Sequence, residues 1–234
     1  MVKKNALIFG SSGTIGCSIY EKISSSGNYN IFTAGKSNNK ESKKHIYTNY
    51  NSEKISDSFL DLPELEVIIW AQGLNCSDKI SDFKYKDLNS LLNSNVIFIA
   101  ACINNLINLK KIKNGARLLI VSSIWQIESR KNKFSYTVSK SALQGLIKSS
   151  AIDLGEKNII INAVLPGVID SPMTRENLSE EQIYEVKKQT ALERLPKPED
   201  IANAAYFLVS DNNKSITGQS LIIDCGFICS KSNL

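Results

Sequence analysis

Tyr136 and Lys140 stand four residues apart, with Ser123 thirteen residues before the tyrosine. Residues four apart share one face of a helix, so an ammonium at 140 lies beside a phenol at 136 and favours its ionised form. A phenol tuned in this way can give a proton to a carbonyl oxygen or take one from an alcohol. Redox chemistry at that carbon also needs a hydride carrier. Near the N-terminus the chain runs from a short apolar stretch into Phe9, Gly10, Ser11, Ser12, Gly13, Thr14, Ile15 and Gly16. Gly10, Gly13 and Gly16 remove side chains where a backbone turns tightly, approaches a pyrophosphate and packs a helix on a sheet, and the helix N-terminus then faces the phosphates. Glycines also serve tight turns for steric reasons alone.

The elements that must position these residues follow from the pattern around them. Apolar, strand-like runs at 6–9, 30–34, 45–48, 67–71, 117–122, 159–164 and 220–223 alternate with helical patterns near 15–26, 53–60, 84–110, 134–155 and 198–210. A polar insertion around 173–190 also reads as helical. Leu118, Leu119, Ile120 and Val121, like Ile159, Ile160 and Ile161, form the continuous apolar runs that strands buried on both sides require. No Pro- or Gly-rich linker interrupts the 234 residues. The pattern predicts an α/β chain forming a single domain over 1–234: a Rossmann-like, doubly wound parallel sheet of about seven strands with helices on both faces.

Composition narrows the function classes. With 42% hydrophobic and 22% charged residues, the chain can bury a substantial core and reads as soluble rather than disordered. The net charge of +5 is spread among acids and asparagines without a basic arm, so nucleic acid is not an expected partner. Cys17, Cys76, Cys102, Cys225 and Cys229 are odd in number and lack close paired spacing. They predict neither a disulfide framework nor a metal site, and fit reduced thiols in the cytoplasm. The apolar stretch from Ala6 to Phe9 is too short for a secretion signal, and no segment is expected to span a membrane.

The second strand ends Thr33, Ala34, Gly35, Lys36, where an acidic residue would ordinarily bind the adenosine ribose of NAD. Gly35 and Lys36 instead leave room and a cation for a 2′-phosphate, which favours NADP(H) over NAD(H). An ordinary surface lysine in a lysine-rich loop is the competing reading.

Together these motifs resemble the short-chain dehydrogenase/reductase family, in its classical branch, over nearly the whole chain, and 3-oxoacyl-(acyl carrier protein) reductases within it. Tyr136, Thr137, Val138, Ser139 and Lys140 match the Tyr-x-x-x-Lys signature, and Leu92 to Val96 matches the region of the active-site asparagine, best aligned to Asn95. Pro166, Gly167, Ile169 and Ser171 lie in a segment similar to the family's nicotinamide-contacting one. The resemblance implies Tyr136 as proton donor in reduction, Ser123 bonded to the same carbonyl oxygen, Lys140 on the nicotinamide ribose, and Asn95 holding a water that relays protons. Ala71 and Gly73 are the recognisable pair of the segment after the fourth strand, in Trp70, Ala71, Gln72 and Gly73. Departures are the early second glycine, with Thr14 where the classical turn has one, Ser171 in place of a threonine, and Cys225 in place of a glycine.

By the same resemblance, substrate choice falls to 124–135 and 172–195, with Trp125 and Gln126 as pocket candidates. Arg130, Lys131 and Lys133 could attract an anionic handle such as acyl carrier protein, coenzyme A or a sugar nucleotide. The implied activity is interconversion of a ketone and a secondary alcohol, by 3-oxoacyl-thioester reduction or on a sugar nucleotide. A dinucleotide-binding sensor or scaffold without turnover is the alternative of another class. Val96, Ile97, Ile99, Leu143, Leu146 and Ile147 suggest more apolar helix surface than one sheet face consumes, and by resemblance a homodimer or homotetramer.

Overall fold

A computed structural model of the chain describes residues 2–36, 44–48 and 56–230. Strands β1 (Lys4–Phe9), β2 (Tyr29–Gly35), β3 (His45–Tyr47), β4 (Leu65–Trp70), β5 (Ile112–Val121), β6 (Ile160–Pro166) and β7 (Ser220–Ile223) form one sheet. All pairs are parallel, in the order β3-β2-β1-β4-β5-β6-β7. The seven predicted strands are all present. β5 starts five residues earlier than its apolar run implies, and its pairing with β4 shifts register between Leu65 and Val67.

The helices are α1 (Thr14–Ser25), α2 (Tyr85–Leu92), α3 (Phe98–Asn108), α4 (Phe134–Asp153), α5 (Pro172–Asn177), α6 (Glu180–Lys188) and α7 (Pro198–Val209). A π turn, Asn93–Ile97, joins α2 to α3 without a break. The predicted helix at 53–60 lies partly outside the described residues, and the described part is a single 3₁₀ turn, Ser56–Phe59. The polar insertion divides in two at Ser179, whose hydroxyl accepts from the Gln182 N–H at 3.2 Å while the Gln182 side chain accepts from the Ser179 N–H at 2.9 Å. That reciprocal cap starts α6.

Strand alternation divides the apolar side chains between two cores. Ile8, Val67, Ile69, Leu119 and Val164 pack with Ile19 and Ile23 of α1 and Ile201, Ala205 and Leu208 of α7. On the other face Leu7, Phe9, Ile68, Trp70 and Ile120 meet Phe98, Ile99 and Cys102 of α3 and Leu143 and Ile147 of α4. Each such side chain contributes roughly 1.5–3 kcal/mol on burial. Phe9 stacks on Trp70 with ring centroids 5.7 Å apart.

This second core changes two expectations. The continuous helical stretch Tyr85–Asn108 is long and apolar enough to cross a membrane, contrary to the reading that no segment approaches that length. Its Phe98, Ile99, Cys102, Ile103 and Leu106 instead pack into the core against the sheet. The same packing consumes Val96, Ile99, Leu143, Leu146 and Ile147, leaving Ile97 as the exposed member of the six residues thought to be in surplus.

Because every strand runs the same way, β1, β4, β5 and β6 all end on one side of the sheet. The chain's winding reverses between β1 and β4. The crevice beyond those two strand ends is where a sheet of this topology accepts ligands.

Candidate active site

β1 exits into Gly10, which has φ +71°. A Cβ there would come within 2.6 Å of the Gln72 backbone nitrogen. At Gly16 a Cβ would lie 2.1 Å from the Gly10 carbonyl oxygen. Both glycines are therefore required by the turn's own packing. Gly13 is different: its φ is −78°, and a Cβ would meet only the Gly10 oxygen, at 3.5 Å. It caps α1 without a side chain to occupy the first-turn N–H groups. Ser12 and Gly13 are exposed, Ser11, Thr14 and Ile15 half-buried. A bare, uncapped start to a twelve-residue helix suits a phosphate group, so the turn fits the dinucleotide expected there.

The β4 exit links this turn to the ionisable residues. Gly10 packs on the backbone of Ala71 and Gln72, while a Cβ on Gly73 would lie 3.4 Å from Asn95 Oδ1 and 3.5 Å from Lys140 Nζ. Three consecutive residues thus touch the glycine turn at one end and the lysine at the other.

Tyr136 sits half-buried in the first turn of α4. Ser123, just beyond β5, stands beside the tyrosine hydroxyl, and its Oγ accepts from the Trp125 N–H at 3.3 Å. Lys140 is buried, with Nζ 5.7 Å from the Tyr136 ring centroid and donating to the Val121 carbonyl at 3.3 Å. Burial pushes the Tyr136 phenol up to about 12, with the neighbouring Ser123 hydroxyl acting against it. Burial also drives the Lys140 amine down to about 8. Helical spacing led to the opposite expectation, a phenol lowered by its neighbour. Loss of water penalises both charged forms, so desolvation outweighs the pairwise attraction. At neutral pH the pair holds a phenol and an ammonium.

Asn95 lies in the π turn, with its side chain engaged. Nδ2 donates to the Leu74 carbonyl at 3.0 Å and to Ser139 Oγ at 3.1 Å, and Oδ1 accepts from the Leu74 N–H at 2.7 Å. Ser139 in turn donates to the Tyr136 carbonyl at 2.8 Å. The asparagine thus ties the β4 exit to α4, a connection that no motif in the sequence revealed.

Beyond β6, a Cβ on Gly167 would lie 2.8 Å from the Asp224 Cβ, so contact with the β7 exit explains this glycine. Pro166 ends β6, and Ile169 leans on the core shared with α1 and α7. Ser171 caps α5, its buried hydroxyl accepting from the Thr174 N–H at 3.2 Å. Lys36 is exposed just past β2, and the loop that follows it lies outside the described residues.

The two pocket candidates separate. Trp125 is buried edge-on against Phe227 at 6.4 Å, with the Arg130 guanidinium 5.6 Å from its ring. Gln126 donates from Nε2 to Ser220 Oγ at 2.8 Å, so its amide is engaged with the first residue of β7. Arg130 and Lys131 line a cleft of about 520 Å³ with Ile80 and Phe134. Lys133 borders the same cleft but points its amine inward, to Asn75, Cys76 and Ser77.

Residues 53–228 match a family model described as enoyl-(acyl carrier protein) reductase. The chain is a short-chain dehydrogenase/reductase. Members of this family are oxidoreductases that act on CH–OH and C=O groups with a nicotinamide dinucleotide, and this chain is one of them. Among its relatives is the 3-oxoacyl-(acyl carrier protein) reductase of Rickettsia felis, 29% identical over 96% of this chain and 97% of that one. An L-rhamnose 1-dehydrogenase (NADP⁺) from Thermoplasma acidophilum is 37% identical over 52% of this chain and 48% of its own length. The crystal structure of a short-chain dehydrogenase family protein from Francisella tularensis superposes with a TM-score of 0.88 at 25% identity, covering 97% of this dehydrogenase/reductase and all of that chain.

Proposed function

We propose that this enzyme interconverts a ketone and a secondary alcohol with NADP(H), and that a 3-oxoacyl thioester is its carbonyl substrate. The observation that carries the reading is the contact from Gly10 through Ala71–Gly73 to Lys140, whose amine stands beside Tyr136. Gly10, Ser11, Ser12, Gly13, Thr14, Ile15 and Gly16 hold the pyrophosphate, and Lys36 the 2′-phosphate. Ala71 and Gly73 border the dinucleotide at the β4 exit, while Pro166, Gly167, Ile169 and Ser171 border the nicotinamide. When bound, the nicotinamide supplies a hydride in reduction and accepts one in oxidation. In reduction, Tyr136 Oη gives its proton to the carbonyl oxygen, which Ser123 Oγ also bonds. Lys140 offsets the phenolate charge left behind, and Asn95 holds the β4 exit in register with α4.

Acyl thioesters are supported by the similarity to 3-oxoacyl-(acyl carrier protein) reductase along nearly the full chain. Arg130 and Lys131 at the cleft suit a phosphate-bearing carrier or coenzyme A. A sugar substrate is the second reading, favoured by the partial likeness to the rhamnose dehydrogenase. The enzyme works as a homodimer or homotetramer, in which Ile97, Val138 and Ile152, all exposed, become covered. Its cysteines are unpaired among the described residues, consistent with work in a reducing cytoplasm.

The test pairs one variant with two titrations. Tyr136→Phe is expected to lower turnover roughly 100- to 10,000-fold while NADPH affinity, read by fluorescence, stays within about threefold. Full turnover in that variant overturns the assigned acid, tighter binding of NADH than NADPH overturns the 2′-phosphate reading, and turnover of sugars but not acyl thioesters overturns the substrate.

A further inference from the structure

Lys133 lies immediately before α4, one turn ahead of Tyr136, and is 7% exposed. Its Nζ donates to Asn75 Oδ1 at 2.8 Å, the Cys76 carbonyl at 3.0 Å and Ser77 Oγ at 3.2 Å. All three ammonium protons are thereby used. The same Nζ is 5.5 Å from the Tyr136 ring centroid, about as close as Lys140 at 5.7 Å. An ammonium withdrawn from water is costly, and an apolar side chain of similar length would fill the site at less expense to the fold. Asp78, the nearby carboxylate, is engaged with the Ser135 N–H and hydroxyl rather than with the lysine.

We propose that Lys133 is a positioning residue for the reaction: it straps the segment leaving β4 to the start of the tyrosine-bearing helix and sets a second positive charge beside the Tyr136 ring. This rests on the reading of Tyr136 as the acid and base. Lys140 of α4 and Lys133 before it stand at the Tyr136 ring, and the β5 exit brings the Ser123 hydroxyl beside it. Arg130, Cys76 and Asp78 are the charged and titratable groups around the Lys133 amine itself. The two ammonium groups favour the phenolate. Cys76 stays neutral, because burial and then Asp78 push its thiol up.

Two variants separate charge from strap. Lys133→Gln keeps hydrogen-bond donors but loses the charge, whereas Lys133→Arg keeps both. Two readouts apply: the midpoint of the pH profile for alcohol oxidation, and the tyrosine ¹³Cζ resonance of Tyr136 in dinucleotide-free protein, assigned by its absence in Tyr136→Phe. In Lys133→Gln both should move up by about half to one pH unit, a three- to tenfold higher proton affinity, and Lys133→Arg should restore them to within about 0.2 unit. A Lys133→Gln protein with both readouts unmoved, alongside an inactive Tyr136→Phe, overturns the proposal. An active Tyr136→Phe sinks the catalytic reading instead, and the resonance still reports on the coupling of Lys133 to the ring. If Lys133→Gln fails to fold, Lys133→Met, an apolar side chain of similar length, takes its place: a rise of half a unit or more in both readouts supports the proposal, and no rise overturns it.

Discussion

The glycine turn and the first two turns of α4 are joined through the β4 exit, yet rest on different physics. At the turn the backbone does the work. Gly10 and Gly16 are there because other backbone atoms occupy the space a side chain would need, and no ionisable group takes part. On α4 the work falls to side chains taken out of water, with the Tyr136 phenol raised to about 12 and the Lys140 amine lowered to about 8. A steric site of the first kind fails through misfolding or lost affinity and is indifferent to pH. The second kind carries the pH dependence.

Three substitutions sharpen that contrast. Gly16→Ala has the largest expected effect, because its Cβ would lie 2.1 Å from the Gly10 oxygen and backbone cannot yield as a flexible side chain can. A loss on the order of 3–5 kcal/mol is expected, read by chemical denaturation. A variant as stable as wild type would show that the turn relaxes freely. Next comes Lys140→Met. Because the folded-state value of about 8 lies below the ordinary 10.5, the buried charge weighs on the fold below pH 8. Between pH 8 and 10.5 only the unfolded chain keeps the proton, so this group makes stability rise with pH over that window. The raised phenol acts in the opposite sense, lowering stability from pH 10 to 12. Lys140→Met should remove the rise and add on the order of 2–3 kcal/mol at pH 7; thermal melts across pH would show it, and an unchanged slope would deny the burial argument. The smallest effect belongs to Gly13→Ala. Its φ of −78° and open surroundings predict stability within about 0.5 kcal/mol of wild type. Dinucleotide affinity should fall about tenfold or more, roughly 1.4 kcal/mol. Unaltered affinity in calorimetry would remove the pyrophosphate from this glycine.

The sheet was legible because strands buried on both sides need unbroken apolar runs, and Leu118 to Val121 or Ile159 to Ile161 can hardly serve another element. Helix 84–110 was legible in extent, but its π turn was not, since periodicity does not register one extra residue per turn. Tyr136 and Lys140 were legible by spacing. Lys133, one turn earlier, looked like one more basic loop residue, because nothing local distinguishes a lysine pointing to solvent from one whose amine meets three acceptors 56 to 58 residues away in the chain.

Apolar periodicity and the order of a few motifs determined the parallel α/β sheet and marked Tyr136, Lys140 and Ser123 as the candidates for chemistry, since these depend on residue type and short-range spacing. The tertiary structure alone decided the direction in which the Tyr136 and Lys140 pair is tuned, the engagement of Asn95 with Leu74, the hydrogen bond of Gln126 to Ser220 and the burial of Lys133. Each depends on which distant backbone excludes water or offers an acceptor, and that information exists only once the chain has folded.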